Sequence, residues 1–208
     1  VEVMVPTPWF PEAVKMLREY PDLDVGVHLT LTSEWENVKW KPLTLAPSLT
    51  DDFGYFYPMI WANDNYGEDQ ALHAQDWKLE EIEQEFRAQI ELAKREIPQL
   101  THVTGHMGCQ HIDDKVDDLV RKLTEEYGLA IFPEDSGVKP ARYQGSKETT
   151  EEKINSFITM LESLTPGTYM FVDHPAYNTP EVQAVHHIGY TNVATDRQGV
   201  TDLLTDEE

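Results

Sequence analysis

The strictest constraint on the fold is the alternation of helical and extended segments along the chain. Residues 23–31 alternate apolar and polar side chains, the period-two pattern of a strand, and this pattern puts His28 on the polar face. Apolar runs at 100–104, 129–132 and 168–173 each follow a segment with helical spacing. This order predicts an α/β fold with a parallel sheet covered by helices, either as a barrel or as an open sheet.

Four segments have the apolar spacing of amphipathic helices. The clearest is 78–97, which Pro98 ends. The other three begin at residues typical of helix starts: Asp113 or Asp114 for 113–127, Thr149 with Glu152 for a helix through Leu164, and Pro11 for a shorter helix through Tyr20. We also interpret Val3-Met4-Val5 as the end of a strand that starts further upstream.

The segment 33–77 breaks this alternation. It is rich in Trp and Tyr, contains scattered Pro, and is too long for a plain connection. We predict that it is an inserted, aromatic-rich loop or lid. Because no internal repeat, low-complexity tract or linker is evident, a single domain over 1–208 is the economical interpretation.

Composition excludes several classes of function. The chain has 16 Lys plus Arg against 38 Asp plus Glu, a net charge of −22, so its surface should repel nucleic acid and anionic lipid. The one cysteine, Cys109, permits no internal disulfide and favours a reducing, cytoplasmic location. No stretch approaches the ~20 apolar residues that cross a bilayer. We expect neither nucleic-acid nor membrane partners. The sequence leaves the oligomeric state undecided, and a homo-oligomer is compatible with it.

Histidines occur where the predicted strands end. His106 directly follows the strand at 100–104, and His174 directly follows the strand at 168–173. Active sites of parallel α/β folds lie at the carboxyl ends of strands, so these residues and His28 are candidates for one site. Each histidine alone also has an ordinary interpretation as a partly buried, hydrogen-bonded structural residue.

A catalytic metal site fits this clustering. Two histidines with one carboxylate can hold a divalent metal and leave positions open for water and substrate. Such an ion makes water a nucleophile near neutral pH and polarises a carbonyl, while a separate histidine protonates the leaving group. His174 is suited to the proton-donating role.

Residues near these positions have more than one interpretation. His111 is a ligand, a substrate contact or a polar helix residue. Aromatic side chains of 33–77 either pack in a local core or stack on the apolar face of a sugar ring: Trp35, Trp40, Tyr55 and Tyr57. We take Trp35, His111 and Tyr177 as the candidates for substrate binding.

Residues 24–32 read DVGVHLTLT, and residues 98–108 read PQLTHVTGHMG. In these stretches the sequence resembles the YdjC-like carbohydrate deacetylase family. The start at Met4-Val5-Pro6, the His174-Pro175 pair and the late stretch 193–197 follow the same family order. The resemblance therefore covers most of the chain.

The resemblance implies a deformed (β/α) barrel of the polysaccharide-deacetylase type. It implies removal of an N-acetyl group from an amino sugar or short oligosaccharide, with Mg²⁺ or Zn²⁺ as cofactor. The two metal-binding histidines of the family map onto His28 and His106, and the late His-Pro of the family maps onto His174, for which proton donation or substrate positioning is a hypothesis.

One motif of the family has no counterpart in the expected order. The family begins with an acidic pair followed by Phe-Gly at the end of its first strand, which supplies a carboxylate ligand and a base. The similar stretch 51–54 comes after the His28 strand, so it is not the same element. We expect this chain to lack the first strand of the barrel, with the carboxylate upstream of Val1.

Three functions follow from these observations. The first is a metal-dependent carbohydrate deacetylase, an amide hydrolase. The second is a catalytically inactive carbohydrate-binding domain, which the missing acidic motif and the aromatic segment 33–77 favour. The third is a metal-dependent phosphoesterase, which ranks last because the sequence has no evident Lys or Arg cluster to hold phosphate.

Overall fold

The protein divides into two compact units. The structure, a computed structural model, describes residues 1–131, 133 and 136–205. The first unit comprises Val1–Glu34 with Lys39–Asp135, and the second comprises Trp35–Val38 with Ser136–Glu208. This division into compact units does not test the prediction of a single domain over 1–208, which stays a prediction.

The first unit is built on a four-stranded parallel sheet. Its strands lie in the order β1 (Glu2–Val3), β2 (Val25–Leu29), β3 (Leu100–Gly105) and β4 (Ala130–Ile131). The predicted α/β fold with a parallel sheet is confirmed. Phe132, the last residue of the predicted strand 129–132, lies outside the described residues. A closed barrel and a missing first strand stay predictions.

The described part of the same unit also contains the α-helices α1 (Phe10–Leu17), α2 (Leu79–Glu96) and α3 (Asp114–Tyr127). The predicted cap of α3 is confirmed, because the Asp113 side chain accepts a hydrogen bond from the Lys115 amide, and Gly128 ends the helix with φ of +65°. The prediction that α1 extends to Tyr20 is wrong. Pro21 disfavours helical backbone at the residue before it, and the chain leaves the helix after Leu17.

Strand β2 is the most buried part of the sheet. Val25, Val27 and Leu29 are fully buried, as are the apolar side chains on one face of α2. The predicted strand over 23–31 is longer than the observed one. The alternation itself is correct, and it places His28 on the face opposite the three apolar side chains.

The segment 39–77 contributes to the core of the first unit. It contains three single-turn 3₁₀ helices, Pro47–Leu49, Glu68–Gln70 and Leu72–Ala74. The buried carboxylate of Glu85 in α2 accepts hydrogen bonds from the Leu43 and Thr44 amides at 3.1 and 3.0 Å. Buried side chains along the segment are Trp40, Leu49, Phe56, Met59, Ile60, Tyr66 and Leu72. The role of 33–77 as a lid stays a prediction.

The second unit contains a parallel pair of strands, β5 (Lys139–Ala141) and β6 (Tyr169–Phe171), and the helices α4 (Thr150–Ser163), α5 (Pro180–Ala184) and α6 (Val193–Thr205). The predicted capping box is confirmed, with reciprocal hydrogen bonds between Thr149 and Glu152. A buried ion pair links α4 to α6, with Lys153 Nζ 2.6 Å from Asp196 Oδ1.

No helix in the described part of the chain is both long and apolar enough to cross a membrane.

Candidate functional site

Two histidine rings meet at the carboxyl ends of neighbouring strands. His28 lies near the end of β2 in register with Thr104 of β3, and His106 begins the 3₁₀ segment His106–His111 directly after β3. Their ring centroids are 5.3 Å apart, and the ring planes are inclined at 72°. The sheet therefore brings together the two residues for which the resemblance implies metal binding. Their role as ligands stays a prediction.

A buried carboxylate contacts the second of these rings. Glu34 Oε2 lies 3.3 Å from His106 Nε2, and only 8% of the Glu34 side chain is exposed. The backbone before Glu34 is held in place, since the Ser33 amide donates to Tyr57 O at 2.9 Å and Trp40 Nε1 donates to Thr32 O at 2.8 Å. Glu34 is therefore placed by the local fold, and its burial is compensated by a polar partner.

The other ring is linked to Glu2 through a hydroxyl. His28 Nδ1 lies 2.6 Å from Thr104 Oγ1, which donates to Glu2 Oε2 at 2.6 Å. The other Glu2 oxygen lies 2.7 Å from His102 Nε2. His102 is buried and belongs to this polar cluster on the face of β1, β2 and β3.

The electrostatic surroundings favour the ionised form of Glu2. Burial by itself would raise the pKa of this carboxyl, but hydrogen bonds with His102 and Thr104 outweigh it. Attraction from His102 and His28 acts in the same direction, and the pKa of Glu2 lies below its usual value.

The turn that carries His106 adopts an unusual backbone. Met107 has φ of 51° and Gly108 has φ of 67°, so two successive residues are left-handed, and Met107 is not a glycine. Such backbone costs about 1–2 kcal/mol at a residue with a side chain. The turn is fixed to β2 by Cys109, whose Sγ donates to Leu29 O at 3.2 Å. Strained backbone of this kind is enriched at functional sites.

The end of the same turn carries His111 and Gln110. His111 is exposed, with Nδ1 3.5 Å from Asp117 Oδ2, so α3 provides a polar neighbour for its ring. Gln110 Oε1 is buried and has no hydrogen-bond partner in the part of the chain that the structure describes. Its carbonyl oxygen is an acceptor that a bound molecule can satisfy. The role of His111 in substrate binding stays a prediction.

His174 and Tyr177 lie in the second unit. The His174 amide donates to Asp173 Oδ1 at 2.8 Å, and Tyr143 donates to Asp173 Oδ2 at 2.7 Å. His174 lines a cavity of about 480 Å³ together with Arg142, Tyr143, Lys147, Phe171 and Asp173, among others. No pattern in the sequence indicated that two cationic side chains, Arg142 and Lys147, share this cavity. Tyr177 is 69% exposed.

Trp35 is only 6% exposed. Its ring stacks on His187 with centroids 5.4 Å apart, and the Arg197 guanidinium lies 5.4 Å from the ring centre. These contacts within the second unit leave little of the indole surface for a sugar. Stacking of Trp35 on substrate stays a prediction, and it would require His187 or Arg197 to move.

The two histidine rings fit part of a metal site. Imidazole nitrogen is a good donor for a catalytic divalent ion, and two such rings with a carboxylate make a common ligand set. Across the described residues, no group of three or more His, Cys, Asp or Glu side chains is arranged to hold an ion. His28 and His106 thus supply two donors, and a complete site needs a further ligand.

Three residues of this cluster were missed by the sequence analysis: Glu2, Glu34 and Thr104. Glu34 follows β2 by five residues, so the rule that selected the histidines, a polar side chain just after a strand, could have selected it as well. Glu2 and Thr104 gave no signal of their own, because their roles depend on the pairing register of β1, β2 and β3.

The family model described as YdjC-like protein matches residues 1–208. The chain belongs to the YdjC-like family. The family resemblance seen at 24–32 and 98–108 is therefore confirmed over the whole length of the chain.

Relatives within this YdjC-like family carry a shared name. A carbohydrate deacetylase of Thermus thermophilus is 32% identical over 183 residues, which cover 78% of this chain and 65% of the relative. A carbohydrate deacetylase of Brevibacillus brevis is 31% identical over 194 residues, which cover 92% of this chain and 70% of the relative. The chain thus spans about two thirds of the length of these relatives.

A solved structure supports the fold of this YdjC-like chain. A crystal structure of an Enterococcus faecalis protein named as a cellobiose-phosphate cleavage protein superposes with a TM-score of 0.70 and 24% identity. The match covers 99% of this chain and 80% of the other. At this identity the likeness establishes a similar fold.

Proposed function

We propose that this chain is part of a metal-dependent carbohydrate deacetylase that hydrolyses the N-acetyl group of an amino sugar or short oligosaccharide. The observation that carries the proposal is the convergence of the His28 and His106 rings, with centroids 5.3 Å apart, at the ends of two parallel strands. Family membership and the names of the Thermus and Brevibacillus relatives support the same reaction class.

His28 and His106 would hold the ion, which we propose to be Mg²⁺ or Zn²⁺. When bound, a divalent metal supplies the Lewis acidity that makes water nucleophilic near neutral pH and polarises an amide carbonyl. The protein would supply orientation. Both rings are hydrogen-bonded. β3, which ends just before His106, pairs with β2, and the Cys109 thiol after His106 donates to Leu29 O of β2. A carboxylate ligand completes the proposed set.

His174 is the proposed proton donor to the amine leaving group. A histidine suits this role because its ordinary pKa lies near neutrality. Asp173 accepts hydrogen bonds from the His174 amide and the Tyr143 hydroxyl, which fixes the backbone that carries the ring. His111, Tyr177 and Trp35 stay candidates for sugar contacts.

A carbohydrate-binding domain without catalysis is the second candidate. The specific observation in its favour is that the described residues contain no ready group of three metal-ligating side chains. The two functions differ in one respect that is simple to measure. Sugar binding by such a domain should survive chelation and the change His106→Ala, whereas hydrolysis should not.

The decisive experiment measures acetate release from acetylated chito-oligosaccharides with Mg²⁺ or Zn²⁺ present. We expect His28→Ala and His106→Ala to abolish release and His73→Ala to leave it unchanged. His73 is a matched control in the same unit, since its ring contacts Ile60 O and Trp61. Release that persists in both His28→Ala and His106→Ala would refute this site, and no release with either metal would favour the binding domain.

A further inference from the structure

We propose that Glu34 and the Glu2–Thr104 pair are positioning residues that set which nitrogen of each histidine carries the proton. His28 is protonated on Nδ1, and His106 is protonated on Nε2. The inference deepens the proposed function and, as regards metal binding, rests on it. The assignment of protons itself depends only on contacts within the first unit.

The argument for His28 follows from the single proton of a hydroxyl group. Near neutral pH, Glu2 is a carboxylate and can only accept hydrogen bonds. Thr104 gives its one hydroxyl proton to Glu2 Oε2 across 2.6 Å. Thr104 Oγ1 can then only accept from His28 Nδ1, which lies 2.6 Å away. In the neutral ring the unprotonated nitrogen of His28 is therefore Nε2.

The argument for His106 is more direct. Glu34 Oε2 lies 3.3 Å from His106 Nε2, and a carboxylate oxygen accepts a hydrogen bond from a ring N–H. The ring must be the donor, so Nε2 carries the proton and Nδ1 is the unprotonated nitrogen. Burial of Glu34 strengthens the preference, because a hydrogen bond to a buried carboxylate is electrostatically stronger than one in water.

The two rings are thus held in opposite tautomers. Metal-binding histidines usually donate their second ring nitrogen to a carboxylate or carbonyl, which fixes the ring and raises its basicity as a ligand. Here the Glu34 carboxylate contacts His106 directly, and the Glu2 carboxylate contacts His28 through the Thr104 hydroxyl. The structure consequently assigns His28 Nε2 and His106 Nδ1 as the nitrogens that would face an ion.

The fold holds both carboxylates in these positions. Glu2 lies on β1 opposite Gly26, and a Cβ at Gly26 would come within 2.5 Å of Glu2 Oε2 and His102 Nε2. Only a glycine leaves room for this carboxylate on the sheet. Glu34 follows Ser33, whose Oγ accepts from the Trp40 amide at 3.0 Å.

The primary test is long-range ¹H–¹⁵N NMR of the histidine rings in the metal-free protein, at a pH where both rings are neutral. We expect an Nδ1–H signature for His28 and an Nε2–H signature for His106. The His28 result is the sharper one, because an unconstrained imidazole in water prefers the Nε2–H form. An Nε2–H signature for His28, or an Nδ1–H signature for His106, would overturn the proposal.

Variants separate positioning from general stability. Thr104→Val removes the hydroxyl at nearly constant volume and should move His28 towards the Nε2–H form, while Thr104→Ser should restore Nδ1–H. Thr124→Val is the matched control, since Thr124 is buried in α3 and donates to helix carbonyls. It should leave both tautomers unchanged. A folded Thr104→Val protein that retains Nδ1–H at His28 would contradict the assignment.

Glu34 is tested in the same way. Glu34→Gln retains an acceptor and should keep His106 in its Nε2–H form. Glu34→Met removes the acceptor, so His106 should no longer be held in the Nε2–H form and should show a mixture of tautomers. If Glu34→Met leaves His106 unchanged, Glu34 does not set its tautomer. If the protein with Glu34→Met does not fold, the spectrum of the unmodified protein still decides the proposal.

A zinc titration by calorimetry links the tautomers to ligation. We expect Thr104→Val and Glu34→Met each to weaken Zn²⁺ binding by about 10–100-fold, with Thr104→Ser and Glu34→Gln close to the unmodified protein. Unchanged affinity in both Thr104→Val and Glu34→Met would overturn the positioning role. Failure of acetate release with the expected tautomers present would count against the proposed function and leave the proton assignment intact.

Discussion

His28 and His106 hold their rings 5.3 Å apart at an inclination of 72°. One residue comes from β2 and the other from the turn after β3, so their proximity depends on the parallel pairing of two strands. The register of that pairing sets Leu29 opposite Gly105, the residue directly before His106.

This proximity predicts that His28 and His106 bind the same metal ion. His28→Ala and His106→Ala should each lower Zn²⁺ affinity, and the double variant should depart from additivity by about 1–3 kcal/mol. Isothermal titration calorimetry of Zn²⁺ binding to the unmodified protein, the two single variants and the double variant gives the four binding free energies of this double-mutant cycle. The matched cycle of His28→Ala with His73→Ala should be additive. Additive losses for His28 and His106 would mean that they do not share an ion.

Gly26→Ala should disrupt the polar cluster on the sheet. The new methyl group would lie 2.5 Å from both Glu2 Oε2 and His102 Nε2, so Glu2 must move away. We expect a loss of about 1–3 kcal/mol in the free energy of unfolding, measured with urea. Gly167→Ala is the control, because Gly167 is exposed and its Cβ would meet only a ring edge at 3.3 Å. An unchanged unfolding curve for Gly26→Ala would contradict the packing described.

The ion pair between Lys153 and Asp196 should make the protein acid-sensitive. Burial alone would raise the pKa of Asp196, but hydrogen bonds from Lys153 and Tyr190 outweigh it and hold the pKa below its ordinary value. Because the folded pKa is depressed, this contribution is fully present above the unfolded pKa of about 3.9. It is lost as the pH falls through the folded value, which thermal melts across the acid range would detect.

Asp196→Asn should remove that acid dependence and destabilise the protein at neutral pH. The Lys153 side chain is only 3% exposed, so its charge would lose its partner in a buried position. We expect a cost of about 3 kcal/mol, the lower end for a broken buried pair, because Asp196 keeps 27% exposure. Asp202→Asn on the same helix should have little effect. Equal stability of the Asp196→Asn and Asp202→Asn variants would rule out the pair as a stabilising contact.

Cys109 should be unreactive in the folded protein. Burial raises the pKa of its thiol to about 12, and the thiolate is the reactive form. We expect a disulfide-exchange reagent near neutral pH to label the thiol only after denaturant is added, with one thiol then titrated per chain. Rapid labelling without denaturant would show that the turn after His106 opens readily.

The local signals of the sequence were sufficient for much of the fold. α2 follows from apolar spacing, α3 from Asp113 and Gly128, and α4 from the reciprocal cap of Thr149 with Glu152. Each of these signals is local, because apolar spacing repeats every three or four residues and each cap acts on the helix end next to it. Two bounds were wrong: α1 ends before Tyr20, where Pro21 follows, and β2 is shorter than the predicted strand over 23–31.

The sequence by itself determined that a parallel α/β sheet forms and that His28 and His106 lie at strand ends, because apolar period, helix caps and the order of helices and strands along the chain can be read from the chain alone. Only the tertiary structure decided that Glu34 contacts His106, that Glu2 reaches His28 through Thr104, and that Trp35 is buried against His187. Those contacts join residues far apart in the chain, and strand register and side-chain packing select them from many alternatives that have the same local pattern.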